Sequence, residues 1–210
     1  KQAHEQFGDS EKSNTDYAVG MADVLAWNQN LDPGSTGALK YYYWRKQIID
    51  DNGQQAEEAA KKIDYYLAAL GKPVPPVQLS DDEKQAAVES FANAMAKLKA
   101  DFGSLDKTYG DVFRVGRGEK SWPLGGGGDD NKGVTAFRNI GFGKERPDHT
   151  RWGQSGQTST EVVVLTKPIQ SWTYVPLGQS DRPESSHYTD QAEKLFSPAQ
   201  LKPTWWTPAE

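Results

Sequence analysis

The sequence contains no cysteine. Disulfide bonds, a thiolate nucleophile and zinc sites built on cysteine ligands are therefore excluded. No apolar run approaches the length needed to span a bilayer, so no membrane partner is expected. The first residues, "KQAHEQFGDSEKSN", are polar throughout and do not form a signal peptide. A mature or internally cut chain would have lost its signal peptide, so the lack of one does not argue against export.

An excess of basic charge is also missing. Lysine and arginine number 24 against 29 aspartate and glutamate residues, which gives a net charge of −5 at pH 7. A nucleic-acid-binding face needs clustered basic residues to meet the phosphates. No nucleic-acid partner is expected. Aromatic residues are plentiful instead, with seven Trp and nine Tyr. Large aromatic anchors in a chain of mean hydropathy −0.79 are typical of a piece that packs on another polypeptide.

The first half of the chain has the patterns of helices. Asp16 is the predicted N-cap of the first, whose apolar face would be formed by Val19, Ala22, Leu25 and Ala26. A second helix follows a Pro-Gly turn, with a face of Leu39, Tyr42, Tyr43 and Ile49. Gly53 is predicted to break the chain, and a third helix to run over residues 54–71.

The fourth helical pattern carries both start and stop signals. Ser80 and Glu83 form a capping box, and Gly103 follows the last helical residue near Phe102. The predicted buried stripe consists of Val88, Phe91, Met95 and Leu98.

The character of the sequence changes near Gly116. Strands are predicted over residues 134–142, 159–166 and 171–177, with the last two antiparallel across a Lys167-Pro168 turn. The consecutive valines 162–164 favour a strand covered on both faces. A short helix is expected from about Thr189. Helices first and antiparallel strands second indicate an α+β fold, with a mainly helical segment 1–115 and a strand-rich segment 116–210.

One segment resembles a catalytic triad. Ser185, Ser186, His187 and Asp190 lie within a few residues of one another. A triad brings its groups from distant parts of a chain so that they converge in one geometry. Thr189 or Asp190 is better explained as a helix-start residue, and Pro183 fits a turn before it. We therefore predict a structural role for His187.

Other candidate sites are weaker. The glycines before Asp129 and Asp130 lack the Lys-Ser/Thr pair of a phosphate loop. Asp129, Asn131 and Gly133 echo a calcium loop without its later acidic ligand, and His4, His149 and His187 lack zinc spacing. The aromatic run Tyr41 to Trp44 could stack on a ligand, but packing is favoured. No cofactor, metal site or catalytic residue is predicted.

Taken in order, several motifs resemble the penicillin acylase family of N-terminal-nucleophile amidohydrolases. They begin with a tryptophan-containing helix followed by Asp32-x-x-Ser35-x-Gly37-Ala38 and an aromatic helix. Gly110-Asp111-x-x-Arg114 comes next, followed by a Leu-Gly-Gly-Gly turn and a Gly-x-Ser strand. The end motif is Gly-Gln-Ser, Ser-x-His-Tyr, Asp-Gln and a final Lys-Pro. The matches are collinear over residues 22–206.

This resemblance implies a fold and a partner set. The chain would be the C-terminal portion of the β chain of an αββα hydrolase, whose exported precursor cleaves itself. Its partners would be the α chain and the N-terminal segment of the β chain, which carries the catalytic serine, and its location periplasmic or secreted. The substrate would be an N-acyl amide, such as an acyl-homoserine lactone in quorum quenching or a β-lactam in antibiotic degradation. The alternative is a non-catalytic binding module that uses exposed aromatic residues such as those at 41–44, Trp205 and Trp206.

Overall fold

A computed structural model describes residues 1–61, 79–128, 138–157 and 159–204. The described residues form two compact units. Of the described residues, the first unit takes in 1–30, 35–61 and 79–108, and the second takes in 31–34, 109–128, 138–157 and 159–204. Among the described residues, no helix combines the length and apolar character that crossing a membrane requires.

The first unit is helical. Its helices are α1 (Gln2–Phe7), α2 (Thr15–Ala26), α3 (Thr36–Lys61) and α4 (Asp81–Phe102), with a 3₁₀ turn at Gly8–Glu11. Helix α3 continues through Gly53, so the predicted break there is wrong. An interior glycine costs a helix only about 1 kcal/mol, which neighbouring good helix formers can offset. Residues 62–71 of the predicted third helix lie outside the described residues.

Helix α2 begins and packs differently from the sequence prediction. Its N-cap is Asn14, whose side chain accepts the backbone N–H of Tyr17 at 3.1 Å. The buried residues are Tyr17, Gly20 and Met21, while Val19 and Leu25 are exposed. The predicted face was therefore wrong. Gly20 lets α4 approach, since a Cβ at this position would lie 2.3 Å from the Met95 sulfur.

Helix α4 confirms its prediction. The Ser80 side chain accepts the N–H of Glu83, and the Glu83 side chain accepts the N–H of Ser80. The bonds from Ser80 hold the pKa of the Glu83 carboxyl below its usual range. Gly103 ends the helix in the left-handed conformation. All four predicted stripe residues are buried: Val88, Phe91, Met95 and Leu98.

The second unit contains the strands and a single-turn helix, α5 (Tyr109–Val112). One sheet has the order β2-β1-β4-β3, formed by β1 (Phe113–Arg117), β2 (Lys120–Pro123), β3 (Ile140–Phe142) and β4 (Arg151–Gly156). The β1–β4 pair is parallel and the β1–β2 and β3–β4 pairs are antiparallel, so this sheet is mixed. The other sheet is antiparallel, with β5 (Thr160–Val164), β6 (Gln170–Tyr174) and β7 (Lys202–Pro203) in that order. The fold class is α+β, with helices preceding strands, as predicted.

Strand β5 pairs with β6 as expected, but its valines are not covered. Val162, Val163 and Val164 are 42%, 44% and 40% exposed. Because successive side chains alternate between faces, each face of β5 carries at least one partly exposed valine. The described residues therefore do not supply the two covering layers that the valine run predicts.

The contact between α2 and α3 yields a stability prediction. A Cβ at Gly37 would meet the Asp23 carbonyl oxygen and the Trp27 Cβ, both at 2.6 Å, whereas a Cβ at Gly34 would meet nothing within 4 Å. Gly37→Ala should lower the free energy of unfolding by about 1–3 kcal/mol, because backbone atoms must shift to relieve the overlap. Gly34→Ala, the matched control, should stay within about 0.5 kcal/mol. Urea unfolding measures both, and equal values would contradict the close approach of the two helices.

Candidate functional site

The segment that resembles a triad is a hydrogen-bonded turn. The Nδ1 atom of His187 lies 3.0 Å from an Asp190 carboxylate oxygen. The Ser185 hydroxyl accepts the backbone N–H of His187 at 3.1 Å, and the His187 carbonyl accepts the N–H of Ser180 at 3.2 Å. The His187 side chain is 67% exposed. Within the described part of the chain, the hydrogen bond of its ring is to Asp190, and no serine hydroxyl is bonded to it.

The helix after this turn begins where expected. Asp190 and Gln191 are helical and lead into one turn of π-helix at Ala192–Phe196. The N–H of Ala192 donates to the Thr189 carbonyl at 3.1 Å. Gln191 is buried, and its side-chain oxygen accepts the N–H of Val175 at 3.1 Å just after β6. An amide side chain thus satisfies a backbone donor at the end of a strand. Hydrophobic patterns in the sequence do not predict this contact, because they carry no information on hydrogen bonds between distant residues.

The other candidates are structural or fall outside the described residues. His4 pairs with the Tyr17 hydroxyl at 2.9 Å, and His149 pairs with Glu145 at 2.8 Å. The glycines that precede residue 129 are held by backbone bonds, among them Gly126 N–H to the Leu31 carbonyl at 2.9 Å. Asp129, Asp130, Asn131 and Gly133 lie outside the described residues.

The aromatic run at 41–44 packs within the helical unit. Tyr43 is buried, and its hydroxyl donates to Asp101 at 3.0 Å. The indole N–H of Trp44 donates to the Ala87 carbonyl at 2.9 Å, and its ring makes an edge contact with Phe91. These residues do not form an open aromatic face, so the binding-module alternative loses this support. Trp205 and Trp206 lie outside the described residues.

The first family-like motif has a mechanical explanation. The Ser35 hydroxyl accepts the N–H of Ala38 at 3.0 Å and so satisfies a free donor at the start of α3. Gly37 permits the contact with α2, and Ala38 is fully buried. Ser35 therefore serves the start of the helix, and the small residues Gly37 and Ala38 serve the tight packing of the helix.

The Gly-Asp-x-x-Arg motif is equally structural. Gly110 donates its N–H to the Pro33 carbonyl at 2.7 Å, and a Cβ there would meet that same carbonyl at 2.8 Å. Arg114 donates to the Gly110 carbonyl at 2.9 Å, to the Ser121 hydroxyl at 2.7 Å and to the Ser121 carbonyl at 2.9 Å. This guanidinium joins α5 to the β1–β2 hairpin, and the three hydrogen bonds give it a structural role.

Sequence reasoning missed one buried charge, Lys40. Its side chain is 1% exposed, and its ammonium group donates to Asp23 at 2.5 Å and to the Leu105 carbonyl at 2.7 Å. Lys40 follows the buried pair Ala38 and Leu39, and a lysine within such a run is a usable signal. Its partners lie far away in sequence, so their identity could not be read.

The family match covers almost the whole chain. The chain matches the penicillin amidase family over residues 2–210. This protein belongs to the penicillin amidase family. Membership implies an amidohydrolase of the N-terminal-nucleophile type that acts on acyl amides. The described residues that carry the resemblance make structural contacts, and no nucleophile and base are brought together among them.

The geometry at His187 yields a catalytic prediction. His187→Asn in the assembled enzyme should change the free energy of unfolding by less than about 1 kcal/mol, because an exposed ion pair contributes little. Turnover per folded molecule should change by less than about tenfold, whereas loss of a general base costs about 10²–10⁴-fold. Active-site titration combined with thermal melting separates the two quantities. A loss of about a thousandfold with unchanged melting would assign chemistry to His187.

Proposed function

We propose that this chain is the C-terminal part of the β chain of an N-terminal-serine acylase. The family match over residues 2–210 carries this proposal. The enzyme cleaves the amide between an acyl group and an amine, with N-acyl-homoserine lactones or β-lactam antibiotics as substrates. It acts in the periplasm or outside the cell after the precursor has processed itself.

The chemistry of the proposed reaction is carried by groups outside the described residues. An N-terminal serine hydroxyl attacks the amide carbonyl while its own amine, directly or through water, takes the proton. Donors preorganised around the developing oxyanion stabilise the transition state. Several serines of this chain have structural roles, which supports placing the nucleophilic serine on another segment. Ser35 and Ser80 cap helices, and the Ser121 hydroxyl accepts from Arg114.

The exposed apolar strand supports a partner for this chain. Val162 and Val164 share one face of β5, Val163 lies on the other, and Leu165 just beyond is 86% exposed. Strand β5 is also an edge strand of its sheet. Contiguous exposed apolar side chains mark interaction sites, and an open strand edge is a template for pairing. We assign the remaining segments of the same precursor as the partner.

Product analysis tests the activity. The complete precursor should be expressed, purified and incubated with short- and long-chain acyl-homoserine lactones and with penicillin. An acylase releases a free amine that a fluorogenic amine reagent detects, together with the matching carboxylic acid. Lactone opening or β-lactam ring opening leaves the acyl amide intact. Residues 1–210 expressed alone should release no amine, whereas amine release by that chain alone would contradict the division of labour proposed here.

Assembly tests the partner. Val162→Asp and Val164→Asp should each lower the yield of the assembled enzyme severely, because an unpaired carboxylate would be buried at an apolar interface. Lys167→Asp, in the exposed turn of the same hairpin, is the control and should assemble normally. Size-exclusion chromatography of the co-expressed segments gives the yield. If all three variants assemble alike, β5 stays exposed in the enzyme and this part of the proposal fails.

A further inference from the structure

Residues 178–188 form a closed loop that we call the strap. The N–H of Ser180 donates to the His187 carbonyl at 3.2 Å. At Gly178 a Cβ would lie 2.1 Å from that carbonyl oxygen, so the two ends of the strap touch. Below this closure, the N–H of Ala192 donates to the Leu177 carbonyl at 2.7 Å. The strap therefore starts and ends at one place, and its base is bonded separately.

The strap has no core of its own. None of its residues is buried, and residues 181–184 at its tip are all exposed. Apart from the closing bond, its backbone bonds are local turns: Ser185 N–H to the Arg182 carbonyl at 3.0 Å and Tyr188 N–H to the Ser185 carbonyl at 3.1 Å. The Ser180 and Ser185 hydroxyls accept further N–H groups only two residues away. Local turns without apolar burial give little resistance to opening. Something outside the strap must hold it closed. The bond of His187 to Asp190 is local to the returning end and does not join the two ends.

Arg117, the last residue of β1, makes three contacts with the strap. Its guanidinium donates to the Ser180 carbonyl at 2.9 Å and to the Asp181 carboxylate at 2.7 Å. The same group lies 4.3 Å from the centre of the Tyr188 ring. One side chain thus contacts both ends of the strap: it bonds Ser180 and Asp181 near the first residue and lies over Tyr188 at the last.

We propose that the strap is a conformational device that opens and closes as a unit above its base, and that Arg117 holds it closed. Opening separates Ser180 from His187 and exposes the Tyr188 ring, while the bond between Ala192 and Leu177 stays intact. The contacts of Arg117 are unequal. Asp181 is 98% exposed, so its ion pair contributes little, and the carbonyl bond and the ring contact carry most of the effect.

Limited proteolysis measures opening directly. Glu184 is exposed, but a glutamate-specific protease must draw several residues around it into an extended conformation, which the closed turns of the strap resist. The rate of cutting therefore follows the open population when closing is fast. In the assembled enzyme, Arg117→Ala should raise this rate by about tenfold, the factor expected for loss of a charged hydrogen bond and a ring contact. Arg117→Lys should raise it less, because lysine keeps the charge but loses the planar fork. Asp181→Asn should change it less than about threefold.

The matched control is Arg182→Ala, which removes an exposed arginine from the strap itself and should leave the rate unchanged. Hydrogen exchange separates opening from general loss of stability. In Arg117→Ala the Ser180 amide should lose protection while the Ala192 amide keeps it. If Arg117→Ala is cut at the rate of Arg182→Ala, Arg117 does not hold the strap. If both amides lose protection together, the strap is not an independent unit, and either result overturns the proposal.

Discussion

The helical unit depends on the placement of one buried ammonium group. Lys40 extends from α3 and reaches Asp23 on α2 and the Leu105 carbonyl in the segment after α4. Removing an ammonium ion from water costs several kcal/mol, and only well-placed acceptors offset this cost. The three pieces must therefore keep one arrangement. A shift of either helix would leave a charge buried without its acceptors, which is far more costly than the loss of an apolar contact.

This constraint explains the small residues around it. For Lys40 to reach Asp23, α2 and α3 must approach closely, and the glycine at 37 allows backbone contact where any side chain would collide. Ser35 then starts the helix at the right residue by accepting the Ala38 N–H. In the second unit Arg114 has the corresponding task, since one guanidinium binds three groups on α5 and β2. Motifs that identify an enzyme family can thus consist of scaffold requirements alone.

Sequence reasoning succeeded where the deciding interactions are local. The capping box of Ser80 and Glu83 and the glycine at 103 act within a few residues, and they fixed both ends of α4. The buried face of α2 could not be found in this way, because Gly20 and Met21 are buried by packing against α4. The pairing of Lys40 with Asp23 and the Leu105 carbonyl could not be predicted for the same reason. Hydrophobic periodicity gives a helix but does not choose its partners.

The valines of β5 mark a different limit. Their β-branched run correctly indicated a strand, because this property belongs to the backbone and the side chain. The inference that both faces are covered concerns the surroundings of the strand, and among the described residues the three valines stay partly exposed to solvent. A residue pattern reflects the environment in which the sequence functions, which under the assembly proposed above includes other polypeptides. Strand β5 leaves its three valines partly in water, which is a poor neighbour for apolar side chains, and this is the physical ground on which we propose a partner at this strand.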